Sequence, residues 1–355
     1  MTTFSERTDR ILGSLLGGAI GDALGAPIEF CDLRDIRDSY GPQGITGYVS
    51  GGWPSGTFTD DTQMTLFTAE GLIRAAVGAR GGQPVDEPLV IWHAYQRWLD
   101  TQGYQVPWDR EFPQRPSGWL VEEPALRHQR APGTTCISAL QTGRRGSIGF
   151  RLNNSKGCGG VMRVAPIGLV AADPFHLACE AAALTHSHPS GYLAAGTFAA
   201  VLAGVARGTS LTSSIDRAVD LLRSRPGHEE TLHAVEAAMN LAASGTPPSP
   251  EMVETLGGGW VAEEALAITL YCALVAADFR AAVLLAVNHS GDSDSTGSMV
   301  GNLLGAALGL GALPEEWLLG LRARSLVEEV AIDLAATLEA EPSGWGWGEE
   351  RYPGW

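Results

Sequence analysis

The chain has 355 residues, enough to bury one large hydrophobic core. Its formal net charge of −16 excludes the broad basic surface that general binding to nucleic acid requires. Five cysteines without CxxC spacing, a polar start and apolar stretches shorter than a membrane span predict a soluble, cytoplasmic protein without membrane contact.

Helical patterns follow one another along the chain, and no convincing alternating strand interrupts them. Residues 101–131, rich in Pro, Trp and Arg, are predicted as a long loop, and 244–250 as a linker. The apolar character of 261–276 on nearly every side places that helix in the middle of a bundle. The expected helices cover roughly residues 11–25, 62–79, 88–100, 134–142, 174–185, 190–206, 211–223, 229–243, 261–276, 278–287, 297–309 and 315–339.

Two of these helices carry glycine at every fourth position. The glycines are Gly13, Gly17, Gly21 and Gly25 in the first stripe, and Gly297, Gly301, Gly305 and Gly309 in the second. Each glycine inside a helix costs about 1 kcal/mol relative to alanine, so a compensating gain is needed. Close backbone approach to another helix is the expected gain, because a spacing of four keeps the glycines on one face. Flexible loops are the alternative, and the regular Leu and Ile between the glycines disfavour them.

The pattern as a whole predicts an all-α fold, a single compact orthogonal helical bundle. Residues 1–340 form one domain, and residues 341–355 form an irregular tail because Gly and Pro are too frequent there for a regular element.

Acidic residues cluster at two helix starts. "GTFTDDTQM" (56–64) places Thr59, Asp60 and Asp61 before an apolar helix. Taken alone, this motif is equally typical of an N-cap threonine followed by acids that favour the helix dipole. "NHSGDSDSTGSMVG" (288–301) contains Asp292, Asp294 and Ser295. An EF-hand loop starting at Asp292 is excluded, since its twelfth position would be Leu303 rather than glutamate.

If the two helix starts converge, their acids form one pocket with Glu29, which follows the first glycine-rich helix. Like charges this close cannot all stay ionised without compensation, and no Lys or Arg is adjacent in sequence. Two divalent cations would supply the positive charge. Oxygen ligands without thiolate favour Mg²⁺ or Mn²⁺ over zinc.

A glycine-rich segment, "KGCGGVMR" (156–163), could expose backbone N–H groups to phosphate oxygens. A plain turn explains the same residues as well. Tyr192 fits either a nucleotide contact or the core.

Six segments in order resemble the ADP-ribosylglycohydrolase family. They are "GGAIGDALGAPIEF", "GTFTDDTQM", "GCGGVMRVAPIGL", "LTHSHPSGYLAAG", "GGGWVAEEALAITLYCAL" and "NHSGDSDSTGSMVGNLLGA". The resemblance runs from about residue 10 to 335 and implies an all-α fold with a binuclear magnesium or manganese centre. By motif match the implied metal ligands are Thr59, Asp60, Asp61, Asp292, Asp294 and Ser295, where relatives often have threonine at the position of Ser295.

The same resemblance implies an enzyme that hydrolyses the C1″ bond of an ADP-ribosyl group and releases ADP-ribose. The implied catalytic residues are Asp61, Glu29 and Asp292, with general acid and base open between Asp61 and Glu29. The implied substrate contacts are Glu29, Gly157, Cys158, Gly159, Gly160, His186 and Tyr192. The acceptor stays open between a protein side chain, a metabolite and a nucleic-acid base, and a monomer is expected. A non-catalytic ADP-ribose-binding relative and a binuclear hydrolase of another nucleotide are the alternatives.

Overall fold

Two glycine-striped helices lie against each other along the axis of the protein. The computed structural model describes residues 5–80, 82, 84–107, 117–339 and 346–353. Within these residues helices dominate and no strand forms, so the predicted all-α class is confirmed. The helices are α1 (Glu6–Gly25), α2 (Leu33–Tyr40), α3 (Asp60–Arg80), α4 (Glu87–Thr101), α5 (Trp119–Glu122), α6 (Thr134–Gln141), α7 (Ala165–Val170), α8 (Pro174–Ala183), α9 (Pro189–Ala206), α10 (Leu211–Arg223), α11 (Glu229–Ala243), α12 (Pro250–Glu254), α13 (Ala262–Val275), α14 (Phe279–Val287), α15 (Ser293–Leu308), α16 (Glu315–Gly320), α17 (Arg324–Ala336) and α18 (Gly346–Arg351).

The two glycine stripes pack on each other in antiparallel register. A Cβ added to Gly301 would lie 2.0 Å from the carbonyl oxygen of Gly17, and one added to Gly21 would lie 2.0 Å from that of Gly297. Real Cβ atoms do not approach backbone this closely, so only glycine permits the contact. The predicted close approach is confirmed, and it fixes the end of α1 beside the start of α15.

The remaining core surrounds this seam. α13 is buried from Ala265 to Cys272 and packs against α9, α11 and α15, which confirms its predicted central place. α17 packs against α1 and α3.

Two helices are long and apolar enough to cross a membrane by length and composition, Glu6–Ile28 and Pro189–Ala206. The expectation that all apolar stretches are too short is therefore wrong. Their most apolar windows are 94% and 72% buried inside the protein, as in core helices.

The predicted helix over 315–339 is interrupted. α16 ends at Gly320, and the N–H of Arg322 donates to the carbonyl of Gly56. Ala323 then takes a positive φ of 52°, which no helix continues through. A tertiary contact thus breaks a pattern that is continuous in sequence.

Two segments expected to be irregular contain helix. The predicted loop 101–131 includes α5 and a 3₁₀ turn at Pro124–Leu126, while residues 108–116 of it lie outside the described residues. In the predicted irregular tail, α18 forms despite its glycines. Arg351 pairs with Glu329 at 2.6 Å, and the buried Tyr352 donates to Asp333 at 2.6 Å. These contacts outweigh the low helix propensity of glycine.

Candidate active site

A cavity of about 360 Å³ opens where the end of α1 and the starts of α3, α6 and α15 meet. Both predicted acidic clusters reach it, although they lie far apart in sequence. The carboxylates in its lining are those of Glu29, Asp60, Asp61, Asp292 and Asp294. The structure therefore brings together the acids whose convergence the sequence only suggested.

The glycine seam explains how Glu29 reaches the second cluster. A Cβ on Gly25 would lie 2.3 Å from the carbonyl oxygen of Ser293, so the last turn of α1 touches the first turn of α15. A 3₁₀ turn at Ala26–Ile28 then delivers Glu29. Glu29, Asp292 and Asp294 each offer a carboxylate oxygen within 4.8 Å of the others.

A carboxylate that the sequence analysis did not single out, Asp22, holds the start of α3. Its Oδ1 accepts from the N–H of Thr59 at 2.8 Å. Its Oδ2 accepts from the N–H of Thr62 at 3.0 Å and from the Thr62 hydroxyl at 2.5 Å. Asp22 could have been noticed in the sequence as an aspartate inside an otherwise apolar helix with a glycine stripe.

The two acids of α3 differ in their partners. Asp60 Oδ2 accepts from the N–H of Gly133 at 3.2 Å, which ties the loop before α6 to the site. Asp61 Oδ1 is buried and makes no hydrogen bond to any described residue. Thr59 is fully buried, and its hydroxyl accepts from the N–H of Asp61 at 3.3 Å. The N-cap interpretation of Thr59 therefore holds, whereas Thr59 itself, predicted as a metal ligand, is not among the residues that line the cavity.

The second cluster is organised around Asp292. Its carboxylate accepts from the N–H of Ser295 at 3.3 Å and from the thiol of Cys158 at 2.7 Å. Asp294 also accepts from the N–H of Ser295, at 3.0 Å. The Ser295 hydroxyl lies 3.7 Å from the sulfur of Cys158 and lines the cavity.

Four carboxylates of the cavity have raised pKa values, and no positive side chain of the described lining offsets their charge. Burial, and then the charges of Asp292 and Asp60, raise the pKa of Glu29 to about 9. Burial first, and the neighbouring acids second, raise the pKa values of Asp61 and Asp294 well above the usual range, and burial does the same for Asp60. No Lys or Arg belongs to the described lining.

The glycine-rich segment contributes backbone rather than charge. Gly157, Cys158 and Gly159 line the cavity, whereas Gly160 does not. Lys156 is engaged away from the cavity by Glu230 and Glu263. Arg163 is fully buried, donating to Thr185 and stacking over the ring of Tyr95 at 4.2 Å.

The two predicted ring contacts have different outcomes. His186 lines the cavity, with Nδ1 at 2.8 Å from the hydroxyl of Thr185. Burial and the nearby Arg163 lower the pKa of His186 to about 3, so its ring is neutral. Tyr192 lies outside the lining and packs against an apolar cluster with Phe175 and Leu193. The structure therefore does not bring Tyr192 to the site.

Some residues that line the cavity and its rim were not predicted from the sequence. The start of α6 lines the cavity with Thr134 and Thr135, and its N-cap, Gly133, makes no side-chain capping bond. At the rim, Phe30 and Trp260 stack with ring centroids 5.5 Å apart, and Phe30 is 77% exposed. The sequence "PGTT" before an apolar helix could have indicated the start of α6. Nothing in the sequence indicates that Phe30 and Trp260 stack.

The donor set fits hard divalent cations. Carboxylate and hydroxyl oxygens line the cavity, and the lining residue Asp61 has a buried Oδ1 without a described partner. A buried carboxylate without a hydrogen bond is costly unless a cation or a proton neutralises it.

Comparison with known proteins identifies the family. The family model for ADP-ribosylglycohydrolase matches residues 3–344, and the chain belongs to this family. The enzyme class predicted from the sequence, a glycohydrolase of ADP-ribosyl groups, is confirmed by this membership.

Individual relatives are similar over most of their length. The chain is 27% identical to an ADP-ribosyl-[dinitrogen reductase] glycohydrolase of Rhodospirillum rubrum, covering 87% of this chain and 89% of that protein. It is 24% identical to an ADP-ribosylarginine hydrolase of Pseudomonas putida, covering 89% of this chain and 75% of the relative. A solved structure titled "ADP-ribosylglycohydrolase-related protein complex" superposes with a TM-score of 0.68 at 28% identity, over 95% of this chain and all of that one.

Proposed function

We propose that the protein uses two Mg²⁺ or Mn²⁺ ions to hydrolyse the C1″ bond between ADP-ribose and a protein side chain. The observation that carries the proposal is the cavity itself. Five buried or nearly buried carboxylates surround it, and no Lys or Arg of the described lining offsets them. Cations from solution would offset the charge.

The ligands in this proposal are Thr59, Asp60, Asp61, Asp292, Asp294 and Ser295. When bound, the ions would act as Lewis acids that orient the sugar hydroxyls and lower the pKa of a bound water. Asp22 supports the ligand set from outside the cavity, through α3, and Cys158 supports it from the cavity wall, through Asp292.

In this proposal, one carboxyl group of the protein donates a proton to the leaving group and another accepts a proton from the attacking water. Glu29, whose pKa burial raises above that of an ordinary glutamate, is the group that we assign to give a proton to the leaving side chain. Asp61 Oδ1, free of described partners, can accept the proton of the attacking water. Asp292 keeps the start of α15 in place. The surrounding carboxylates suit the positive charge of an oxocarbenium-like transition state.

The substrate would be held mainly by neutral groups. The N–H groups of Gly159 and of the start of α6 can bind a diphosphate without a lysine, whereas the N–H of Gly157 already donates to the Ser155 hydroxyl at 3.3 Å. His186, neutral and at the wall, can hydrogen-bond a ribose hydroxyl. Since one relative acts on ADP-ribosylated dinitrogen reductase, we propose an ADP-ribosylated protein as substrate and no broad nucleic-acid surface.

The test is release of ADP-ribose from ADP-ribosyl-arginine and ADP-ribosyl-serine peptides with Mg²⁺ or Mn²⁺. Replacing a residue that only hydrogen-bonds a metal ligand lowers activity about 10- to 100-fold, so Asp60→Asn or Asp292→Asn, which changes a ligand itself, should lower activity more than about 100-fold. Helical content should be unchanged. Asp220→Asn is a matched control, because that side chain is 81% exposed and away from the cavity. Full turnover of either cavity variant, or of the wild type in excess chelator, would contradict the proposal.

A further inference from the structure

Asp22 is fully buried in α1, and its carboxylate faces a different helix. Oδ1 and Oδ2 together accept three hydrogen bonds, from the N–H groups of Thr59 and Thr62 and from the Thr62 hydroxyl. All three donors belong to the start of α3. The carboxylate thus acts as a cap supplied from outside the helix.

A helix start needs such acceptors because its first N–H groups have no partner within the helix. The side chain of the N-cap residue, just before the first turn, commonly supplies one of them. In α3 the acceptors are Asp22 and the Thr59 hydroxyl. The carboxylates of Asp60 and Asp61 are therefore not needed to cap α3, although Asp60 Oδ2 accepts from the N–H of Gly133.

The same stretch of α1 also sets the position of α15. Asp22 directly follows Gly21, where a Cβ would lie 2.0 Å from the carbonyl oxygen of Gly297. One turn of α1 is consequently in contact with the helices that carry both acidic clusters.

We propose that Asp22 is a positioning residue for the reaction. It holds the first turn of α3 in register with α15, so that Asp60 and Asp61 face Asp292 and Asp294 across the cavity. The inference rests on the proposed metal-dependent function and adds to it a residue that touches neither substrate nor metal.

The experiment measures Mn²⁺ binding to the full-length chain, stripped of metal, by the electron paramagnetic resonance of free Mn²⁺. In Asp22→Asn one acceptor oxygen becomes an NH₂ donor that faces an N–H, so the start of α3 loses at least one bond. The Mn²⁺ dissociation constant should rise about 10- to 100-fold, the range seen when outer-shell partners of a metal site are replaced. Activity should fall at low Mn²⁺ and recover in part as Mn²⁺ is raised.

Two further variants keep the test decisive. Ser14→Ala removes a buried hydrogen bond of the same helix, 2.9 Å to the carbonyl of Asn302, away from the cavity. It should lower the melting temperature and leave Mn²⁺ affinity unchanged. Thr62→Val removes one bond to Asp22 and should weaken Mn²⁺ binding, whereas Thr62→Ser, which keeps the hydroxyl, should restore it. This pair decides the question if Asp22→Asn does not fold.

Wild-type Mn²⁺ affinity in Asp22→Asn, or in Thr62→Val should Asp22→Asn not fold, would overturn the positioning role. The metal proposal is judged separately by Asp292→Asn. If that variant also binds Mn²⁺ like the wild type, the proposed metal site fails; if it loses binding while Asp22→Asn does not, only the role of Asp22 fails.

Discussion

Glu70 and the cavity acids are both buried carboxylates, but they are neutralised in different ways. Glu70 lies between Arg74 at 2.8 Å and Arg97 at 2.9 Å, and all three side chains are at most 1% exposed. The cavity gathers five carboxylates with no described Lys or Arg in its lining. Buried arginines thus neutralise the structural carboxylate of Glu70. The cavity carboxylates have no such partner in the described lining, and we propose that metal ions neutralise them.

The largest effect on stability is expected at Glu70. Glu70→Gln removes the negative partner of two buried arginines, and breaking a buried ion pair costs about 3–5 kcal/mol of unfolding free energy. Urea denaturation measures this loss. The folded fraction should keep wild-type Mn²⁺ affinity, and a variant as stable as the wild type would break the comparison.

Replacing a carboxylate of the cavity by an amide should raise stability rather than lower it. Asp61→Asn removes one of several repelling carboxylates whose pKa values burial raises, so the metal-free protein should become more stable. We expect its melting temperature at about pH 8 to rise by on the order of 2 °C. The stabilisation by Mn²⁺ should be lost at the same time. A lowered melting temperature in the metal-free variant would show that the cavity is not under electrostatic strain.

The smallest expected effect is a pH slope. Glu29 and the cavity aspartates have raised pKa values in the folded state, so between about pH 7 and the pKa of Glu29 near 9 the folded protein holds more protons than the unfolded chain. Unfolding free energy of the metal-free protein should therefore fall as the pH rises. Histidines do not interfere in this window, because their unfolded pKa is about 6.5.

Calorimetry at several pH values, with and without Mn²⁺, checks this slope. Since the ions replace protons, the stabilisation by Mn²⁺ should grow with pH. Glu29→Gln should show a shallower slope than the wild type. A metal-free stability that stays level or rises over the window would contradict the sign.

Local patterns were sufficient for the elements that local physics controls. The glycine stripes of α1 and α15 predicted close packing because only glycine leaves room for it, and the apolar surface of α13 predicted a central helix. Elements decided by distant partners were missed. α18 depends on contacts with Glu329 and Asp333, and the break before α17 depends on the carbonyl of Gly56.

Within the site, the residue types in the sequence indicated which residues could bind metal or substrate. The sequence did not show which of them point into the cavity. The acids of both clusters reach the cavity as predicted, since their chemistry is visible in the sequence. Tyr192, Gly160 and Thr59 were predicted to contact substrate or metal but lie outside the lining, because which way a side chain or an N–H points depends on how its segment packs.

The sequence by itself determined that the protein is helical, that two helices approach closely, and that acids stand at two helix starts. These follow from periodicity, from the absence of a side chain on glycine and from charge. Only the tertiary structure decided that the acids share one cavity, that Asp22 caps α3, and that Lys156 and Arg163 point away. Those facts depend on contacts between segments distant in the chain, and such contacts exist only once the helices have packed.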